Sequence, residues 1–437
     1  SVISASVQKP SRLPFGMRGA FAALRGLRHR TSQSAASGRS LAGLDWFVFF
    51  MGDIQTGFGP LIAVYLVTQK WSQTDIGFVL SLGALASLVC QIPGGVLVDA
   101  TRSERRAAAV AVAVIGLSAA LIAAQPVFLA VALGRVLQAG ASAVVGPAVG
   151  AITLGLVGRE GIAERLGRNT AFAAAGNGTA ALIMGAFGHF VSPRAVFFVT
   201  AAFAVPTLLA LFRIRTTEID AERAHGIAED SRSAGGLRAL FRKRALWAFL
   251  AGVAFFQLAN AAMLPLMAST YTTRAPDWAV TLVAACIVVP QLVAASLSPW
   301  IGSLARTIGR RPLLAVGLCT LPLRGLLFAF SSHPLALVAV QMLDGVSAAA
   351  LGVLMPLVLS DIAYGTGRFN LAQGITGATI GLAAAASTAG AGCVSDCFGA
   401  GTAFLCLAGI GALGALTVAL FMPETGPEAS SRAAFHN

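Results

Sequence analysis

Three charged side chains, Asp53, Arg135 and Asp344, stand far inside long apolar stretches of this 437-residue chain. A charge in the hydrocarbon of a bilayer costs about 3 kcal/mol or more, so each needs a partner or a task. Asp53 lies among Gly52, Gln55, Thr56, Gly57, Gly59 and Pro60, a run that suits a kinked helix facing a cavity rather than lipid. Burial favours the neutral acid and an approaching guanidinium favours the carboxylate, so movement of Arg135 relative to Asp53 changes proton occupancy. Proton coupling requires this. The same two residues also fit a static ion pair that only orders the bundle. Asp344 stands at similar depth with Gln341 one turn before it. Arg324 sits where it either reaches Asp344 or extends to the outer headgroups, and Asp45, near the start of its stretch, reads as interfacial.

Uncharged amides complete the polar set. Gln55, Gln138, Gln257, Asn260 and Gln341 fall in the same stretches, and a buried amide needs a partner. Phe49, Phe50, Phe58, Tyr65, Phe255, Phe256 and Tyr271 stand near them. Apolar walls with few polar points suit an amphipathic small molecule, although phenylalanines in such stretches also serve packing. The histidines His29, His189, His225, His333 and His436 fall at termini or in loops. No nucleophile motif, metal-ligand spacing or phosphate-binding glycine-lysine motif accompanies them, so enzyme and nucleotide-driven pump readings lack support and no cofactor or metal is expected. The six cysteines lie mostly in apolar stretches, where cysteine acts as a small apolar residue. Cys393 and Cys397, four apart near an outer loop, leave a disulfide or metal site conceivable.

These residues need a membrane-spanning scaffold. Apolar residues make up 56% of the chain, charged residues 11%, and mean hydropathy is +0.78; soluble proteins carry about a quarter charged residues. About 20 apolar residues in a helix cross the roughly 30 Å hydrocarbon core. Twelve such stretches are expected near 43–67, 75–97, 107–124, 127–152, 169–190, 194–212, 245–271, 278–301, 312–331, 334–358, 371–392 and 401–421.

The net charge of +13 raises nucleic acid as a partner, but the placement of the basic residues argues against it. Of the 31 Lys and Arg, Arg135 and Arg324 lie within stretches and only Lys70, Arg194 and Arg274 fall on the face opposite the termini. That asymmetry marks the face with the termini as cytoplasmic. The expected organisation is a basic cytoplasmic tail over 1–42, a six-helix bundle over 43–212, a cytoplasmic linker over 213–244 that is part amphipathic helix, a second bundle over 245–422, and a short cytoplasmic tail over 423–437. The first tail has no compact apolar core of the kind a signal peptide needs. Its charge suits topology and contact with anionic membrane lipids.

The first six stretches resemble the second six at an offset of about 205 residues. Pro60-Leu61-Ile62-Ala63 is answered by Pro265-Leu266-Met267-Ala268, and Arg135-Val136-Leu137-Gln138-Ala139 by Gln341-Met342-Leu343-Asp344-Gly345. Gly95-x-x-x-Asp99 followed by Arg102, Arg105 and Arg106 is answered by Gly302-x-x-x-Arg306 followed by Arg310-Arg311, with a base where the first copy has an acid. Glycine lets two helices approach closely. Asp99 at a helix end can accept hydrogen bonds from the N-terminus of a neighbouring helix, and the arginines can pair with acids or lipid phosphates. Such a loop can latch two halves together; alternatively, its arginines only hold the loop inside.

These two loops resemble the cytoplasmic loop motif of the major facilitator superfamily, and Arg135-x-x-Gln138-x-Gly140 is similar to its fourth-helix motif, with the glycine displaced by one. The resemblance covers residues 43 to 421. It implies an all-α membrane protein of 12 transmembrane helices in two pseudo-symmetric six-helix bundles. The first, fourth, seventh and tenth helices would then line a cavity where Asp53, Arg135, Gln138, Gln257, Asn260, Gln341 and Asp344 converge. Bacterial proton-linked exporters of small molecules are the nearest group, although Gly176-Asn177-Gly178 lacks the Gly-Pro pair of the antiporter motif. The expectation is a monomeric secondary transporter in the bacterial inner membrane that moves a small amphipathic solute against protons. The alternative is a proton symporter importing an organic acid, siderophore or other nutrient.

Overall fold

One helix, Phe128–Phe190, is 63 residues long. At 1.5 Å per residue it would measure about 95 Å, three times the hydrocarbon thickness. Gly158 resolves this. Its φ of 63° and ψ of −170° lie where a residue with a Cβ is strained, and they fold the run into two spans. The computed structural model describes residues 36–56, 61–101, 103–227, 236–274, 276–331 and 333–426, with side chains except at 53–56, 61, 63, 64, 73, 189, 271–274 and 276–281.

Among the described residues, 10 helices are long and apolar enough to cross a membrane. Dividing the long one at Gly158 and adding the first span, seen as Gly38–Thr56 and Leu61–Thr68 on either side of 57–60, brings the number to twelve. The second and third spans are Gln73–Ala100 and Glu104–Ala124; the fourth and fifth are the two limbs of Phe128–Phe190; the sixth is Pro193–Arg213. The seventh runs Arg244–Asn260 and continues as Met263–Arg274. Pro276–Thr307, Arg310–Phe330, Pro334–Ala363, Phe369–Phe398 and Ala400–Phe421 are the eighth to twelfth. Local sequence explains where some begin: the Ser72 and Ser192 hydroxyls accept from the Asp75 and Ala195 amides, and Pro193 sits in the first turn where its missing N–H costs nothing.

Sequence reading ended the fourth span near 152 and began the fifth near 169. The helices instead continue to either side of Gly158, where Arg159, Glu164, Arg165 and Arg168 pair with acids or bases of other helices.

Buried apolar residues separate into two main clusters, one drawn from 44–224 and one mostly from 240–422. Each is the core of a six-helix bundle. Outward faces carry exposed Val110, Leu117, Leu129, Leu209, Trp300, Val316 and Phe421, a covering suited to lipid tails. Across the halves the second span packs on the eleventh and the eighth on the fifth. The linker contributes a turn at Thr216–Glu218 and short helices Ala221–Ala224 and Gly236–Arg242. Ser37 is tied to it by donating from both its amide and its hydroxyl to Glu218 at 2.9 Å.

Candidate translocation site and linker-end latch

The C-terminal half holds a buried charge cluster. Arg324 of the ninth span donates from Nη1 to Asp344 Oδ1 of the tenth at 2.5 Å and to Asn260 Oδ1 of the seventh at 2.6 Å. Arg324 is only 2% exposed, so the reading in which it extends to the outer headgroups is overturned: the long side chain turns inward, where the Asp344 carboxylate compensates its buried charge. Asp344 keeps 26% of its side-chain surface open, against 2% for Arg324, and Asn260 is half-buried. Gln341, one turn earlier, is fully buried, and neither of its amide atoms has a hydrogen-bond partner.

The N-terminal half carries its own group. Arg135 donates from Nη1 to Gln138 Oε1 at 2.9 Å, and Gln138 donates to Ser142 Oγ at 3.0 Å. The guanidinium also lies across Gly83 of the second span, where a Cβ would meet Nη2 at 2.7 Å. Asp53 and Gln55 lie on the first-span helix, but their side chains fall outside the described residues, and so does the expected Asp53–Arg135 pairing. Gln257 is half-buried on the seventh span. The hydrogen bonds of Gln138 and of Asn260 and Asp344 run to partners in their own halves, giving one polar group per half.

Asp45 corrects another expectation. It is buried, not interfacial, with Oδ1 2.5 Å from Arg165 Nη2 and Oδ2 2.8 Å from Arg168 Nη2. Arg165 also donates to Asn169, and Asn169 to Thr153. Reading Arg165 and Arg168 as loop residues hid this set.

At the end of the bundle that carries the linker, the latch residues separate by role. The eleventh helix has no side-chain cap of its own. Its first amides are satisfied from elsewhere: Asn370 N–H donates to Asp99 Oδ1 at 3.2 Å, Leu371 N–H to Asp99 Oδ2 at 2.9 Å, and Phe369 N–H to the His225 carbonyl at 3.4 Å. Asn370 Nδ2 adds a bond to Asp99 Oδ1 at 2.9 Å. A Cβ on Gly95 would collide with the Asn370 carbonyl oxygen, so glycine is required there. The second copy repeats this on the fifth span: a Cβ on Gly302 would meet the Ala163 carbonyl oxygen at 2.5 Å, and one on Gly167 would meet that of Ser298 at 2.7 Å. Arg306, the base at the acid position, pairs across the halves with Glu164.

The remaining arginines do not all bridge. Arg105 donates to the Ile214 carbonyl at 2.5 Å and stacks over Phe212, both in its own half. Arg106 is exposed, and Arg102 lies outside the described residues. Arg311 donates from its guanidinium to the Ala419 carbonyl, and its amide and that of Arg310 donate to Glu424. Arg310 is buried with Nε 3.2 Å from Asp361 Oδ2, while Arg159 from the other half reaches Asp361 Oδ1 at 3.1 Å. Asp361, Glu164 and Glu104 meet partners far away in sequence, and no motif or spacing along the chain marks them. Cys393 and Cys397 are free and exposed, and no metal-binding group of His, Cys, Asp or Glu occurs among the described residues.

A profile of the Major Facilitator Superfamily matches residues 40–320 and 251–436. The chain belongs to the major facilitator superfamily. An MFS-type transporter of Mycobacterium tuberculosis (strain CDC 1551 / Oshkosh) is 39% identical over 390 residues, covering 87% of this chain and 93% of the relative. Solved structures share the fold at low identity. The human organic anion transporter MFSD10 (TETRAN) aligns with a TM-score of 0.68 at 16% identity, over 87% of this chain and 99% of that one. The proton:xylose symporter XylE bound to 6-bromo-6-deoxy-D-glucose aligns at 0.69 and 15%, over 89% and 96%. FucP in the outward conformation aligns at 0.66 and 16%, over 87% and 97%. The protein is therefore a multi-pass transporter of this superfamily, a family of carriers rather than enzymes.

Proposed function

We propose that this transporter couples movement of a small amphipathic solute to protons by alternating access, in the direction of efflux from the cytoplasm, as a monomer in the inner membrane with both termini cytoplasmic. The observation that carries the coupling is the Asp344–Arg324–Asn260 cluster. A proton and the Arg324 guanidinium compete for one part-exposed carboxylate, so protonation loosens the seventh, ninth and tenth spans from one another. Asp53 with Arg135 is the corresponding pair proposed for the first half, and Gln55, Gln138, Gln257 and Gln341 are the amides proposed to meet the solute. The solute is proposed to pass between the halves while the contacts at Gly95, Asp99, Gly302 and Arg306 close one end.

A second reading, import by proton symport, is favoured by the neighbours, since XylE is a proton:xylose symporter and another solved structure sharing the fold is a fucose:proton symporter. Direction separates the two. Purified protein in liposomes with an imposed pH gradient, screened against amphipathic solutes and small nutrients, should acidify or alkalinise the lumen in step with solute movement. Solute movement indifferent to the gradient would remove proton coupling.

A further inference from the structure

His225 is the only histidine among the described residues placed between two buried carboxylates. Its ring Nδ1 lies 3.7 Å from Asp99 Oδ1 and its Nε2 3.4 Å from Glu104 Oε1. Neither contact is short enough for a good hydrogen bond, yet both are within ion-pair reach. The Glu104 Oε1 and the His225 Nδ1 are buried with no hydrogen-bond partner. A neutral imidazole has one N–H and one lone pair, so in either tautomer one ring nitrogen faces a carboxylate oxygen lone pair to lone pair. Only the imidazolium offers a proton to both.

The backbone of the same residue belongs to the other half. Its carbonyl accepts from Phe369 at the head of the eleventh helix, and the next carbonyl, that of Gly226, accepts from Gly365 at 2.8 Å. We infer that His225 is a positioning residue of the gate: as the imidazolium it clamps Asp99 and Glu104 of the first half while its backbone holds the eleventh helix of the second, and loss of its proton releases Asp99 from the eleventh-helix amides. This rests on the alternating-access reading, because it supplies the gate that such a cycle opens and closes.

The charged groups facing the ring are Asp99 from the second span and Glu104 from the third. The eleventh helix presents uncharged Phe369 and Asn370, and Arg223 on the linker's own short helix is paired with Asp220 at 3.4 Å. His225 titrates above its ordinary 6.5, the neighbouring Asp99 carboxylate first, then Glu104 and a hydrogen bond to the Thr101 backbone, together outweighing burial. The sign follows. A pKa raised in the closed state means that this stabilisation is complete below about pH 6.5 and is lost as pH climbs through the raised value.

The amides of Asn370 and Leu371 lie in the first helical turn and have no intrahelical acceptor, so their hydrogen exchange reads the Asp99 contact directly. Exchange should be followed by mass spectrometry on the purified full chain from pH 5.5 to 9, corrected for intrinsic rates. Protection at these two amides should fall with rising pH, by up to about tenfold for each unit separating the closed-state and open-state pKa. His225→Gln should flatten the profile. Glu104→Gln, which removes one of the two carboxylates, should move its midpoint to lower pH and serves as the readout if the His225 variant does not fold. A flat profile in the native chain, a profile unchanged by His225→Gln, or a midpoint unmoved by Glu104→Gln overturns the inference. Because no solute enters the measurement, a chain that shows this profile and yet carries nothing in liposomes overturns the transporter mechanism while leaving the clamp intact.

Discussion

Taking the carboxylate from Asp344 leaves the Arg324 guanidinium without its counter-charge in a site almost closed to solvent. Breaking a buried pair from one side costs about 3–5 kcal/mol, whereas replacing both members with apolar groups of similar volume is often neutral. Asp344→Leu should therefore lower the thermal midpoint strongly, and Arg324→Met combined with Asp344→Leu should recover most of the loss; a double variant no better than the single one would show that the pair is not the unit. Asp344→Asn keeps shape and a hydrogen-bond acceptor for Arg324. In liposomes it should abolish gradient-driven accumulation while sparing solute counterflow, and accumulation at the native rate would remove Asp344 from coupling. Asp99→Asn poses a different question at the linker end. It leaves one acceptor oxygen for amides that now use two, so initial transport rates should fall at matched expression, and unchanged rates would separate Asp99 from the cycle.

At the level of helices, the halves meet through close backbone contacts at glycines as well as through the side-chain pairs Arg306–Glu164 and Arg159–Asp361. Gly95 touches the Asn370 carbonyl and Gly302 the Ala163 carbonyl, so a single methyl acts as a wedge. Overpacking of this kind costs about 1–3 kcal/mol, which shifts the closed-to-open ratio by roughly tenfold to a hundredfold. Gly95→Ala or Gly302→Ala should speed modification of Thr170→Cys, on the fifth span against Gly352 of the tenth, by a membrane-impermeant maleimide added at the linker side; unchanged reactivity would mean that the contact is not the stop. The twelve spans and the Gly95–Asp99 loop with its weaker copy could be read from the chain, because apolar length and a repeated glycine are local properties. The fate of individual charges could not. Whether Arg324 turns in or out, whether Asp45 is wet or buried, and which acid Arg306 meets depend on how neighbouring helices rotate, and no spacing along the chain records that. His225 looked like a loop residue for the same reason.

For the molecule as a whole, the proposal that the linker end is cytoplasmic rests on the placement of basic residues. With the six native cysteines replaced, Gln69→Cys, exposed at the far end of the first span, should label from outside intact cells. Glu222→Cys, exposed in the linker, should label only after the membrane is opened. Ready labelling of Glu222→Cys from outside would invert the topology.

The eleventh helix is completed by groups that come early in the chain. The bond from Asn370 to Asp99 closes a separation of 271 residues, and His225 lies between the two in sequence. During synthesis those partners exist long before residue 369 emerges, so the first half can offer a finished docking surface to a helix that cannot finish itself. A chain cut within 228–235 and made as two fragments should still assemble when both are present. The second fragment alone should carry a frayed start to its eleventh helix, visible as rapid exchange over 369–371 that slows when the first fragment is added. Maturation of this carrier would then end with the docking of one preformed half onto the other, and a lesion at Asp99 would show itself twice, once as a defect in cycling and once as slow assembly.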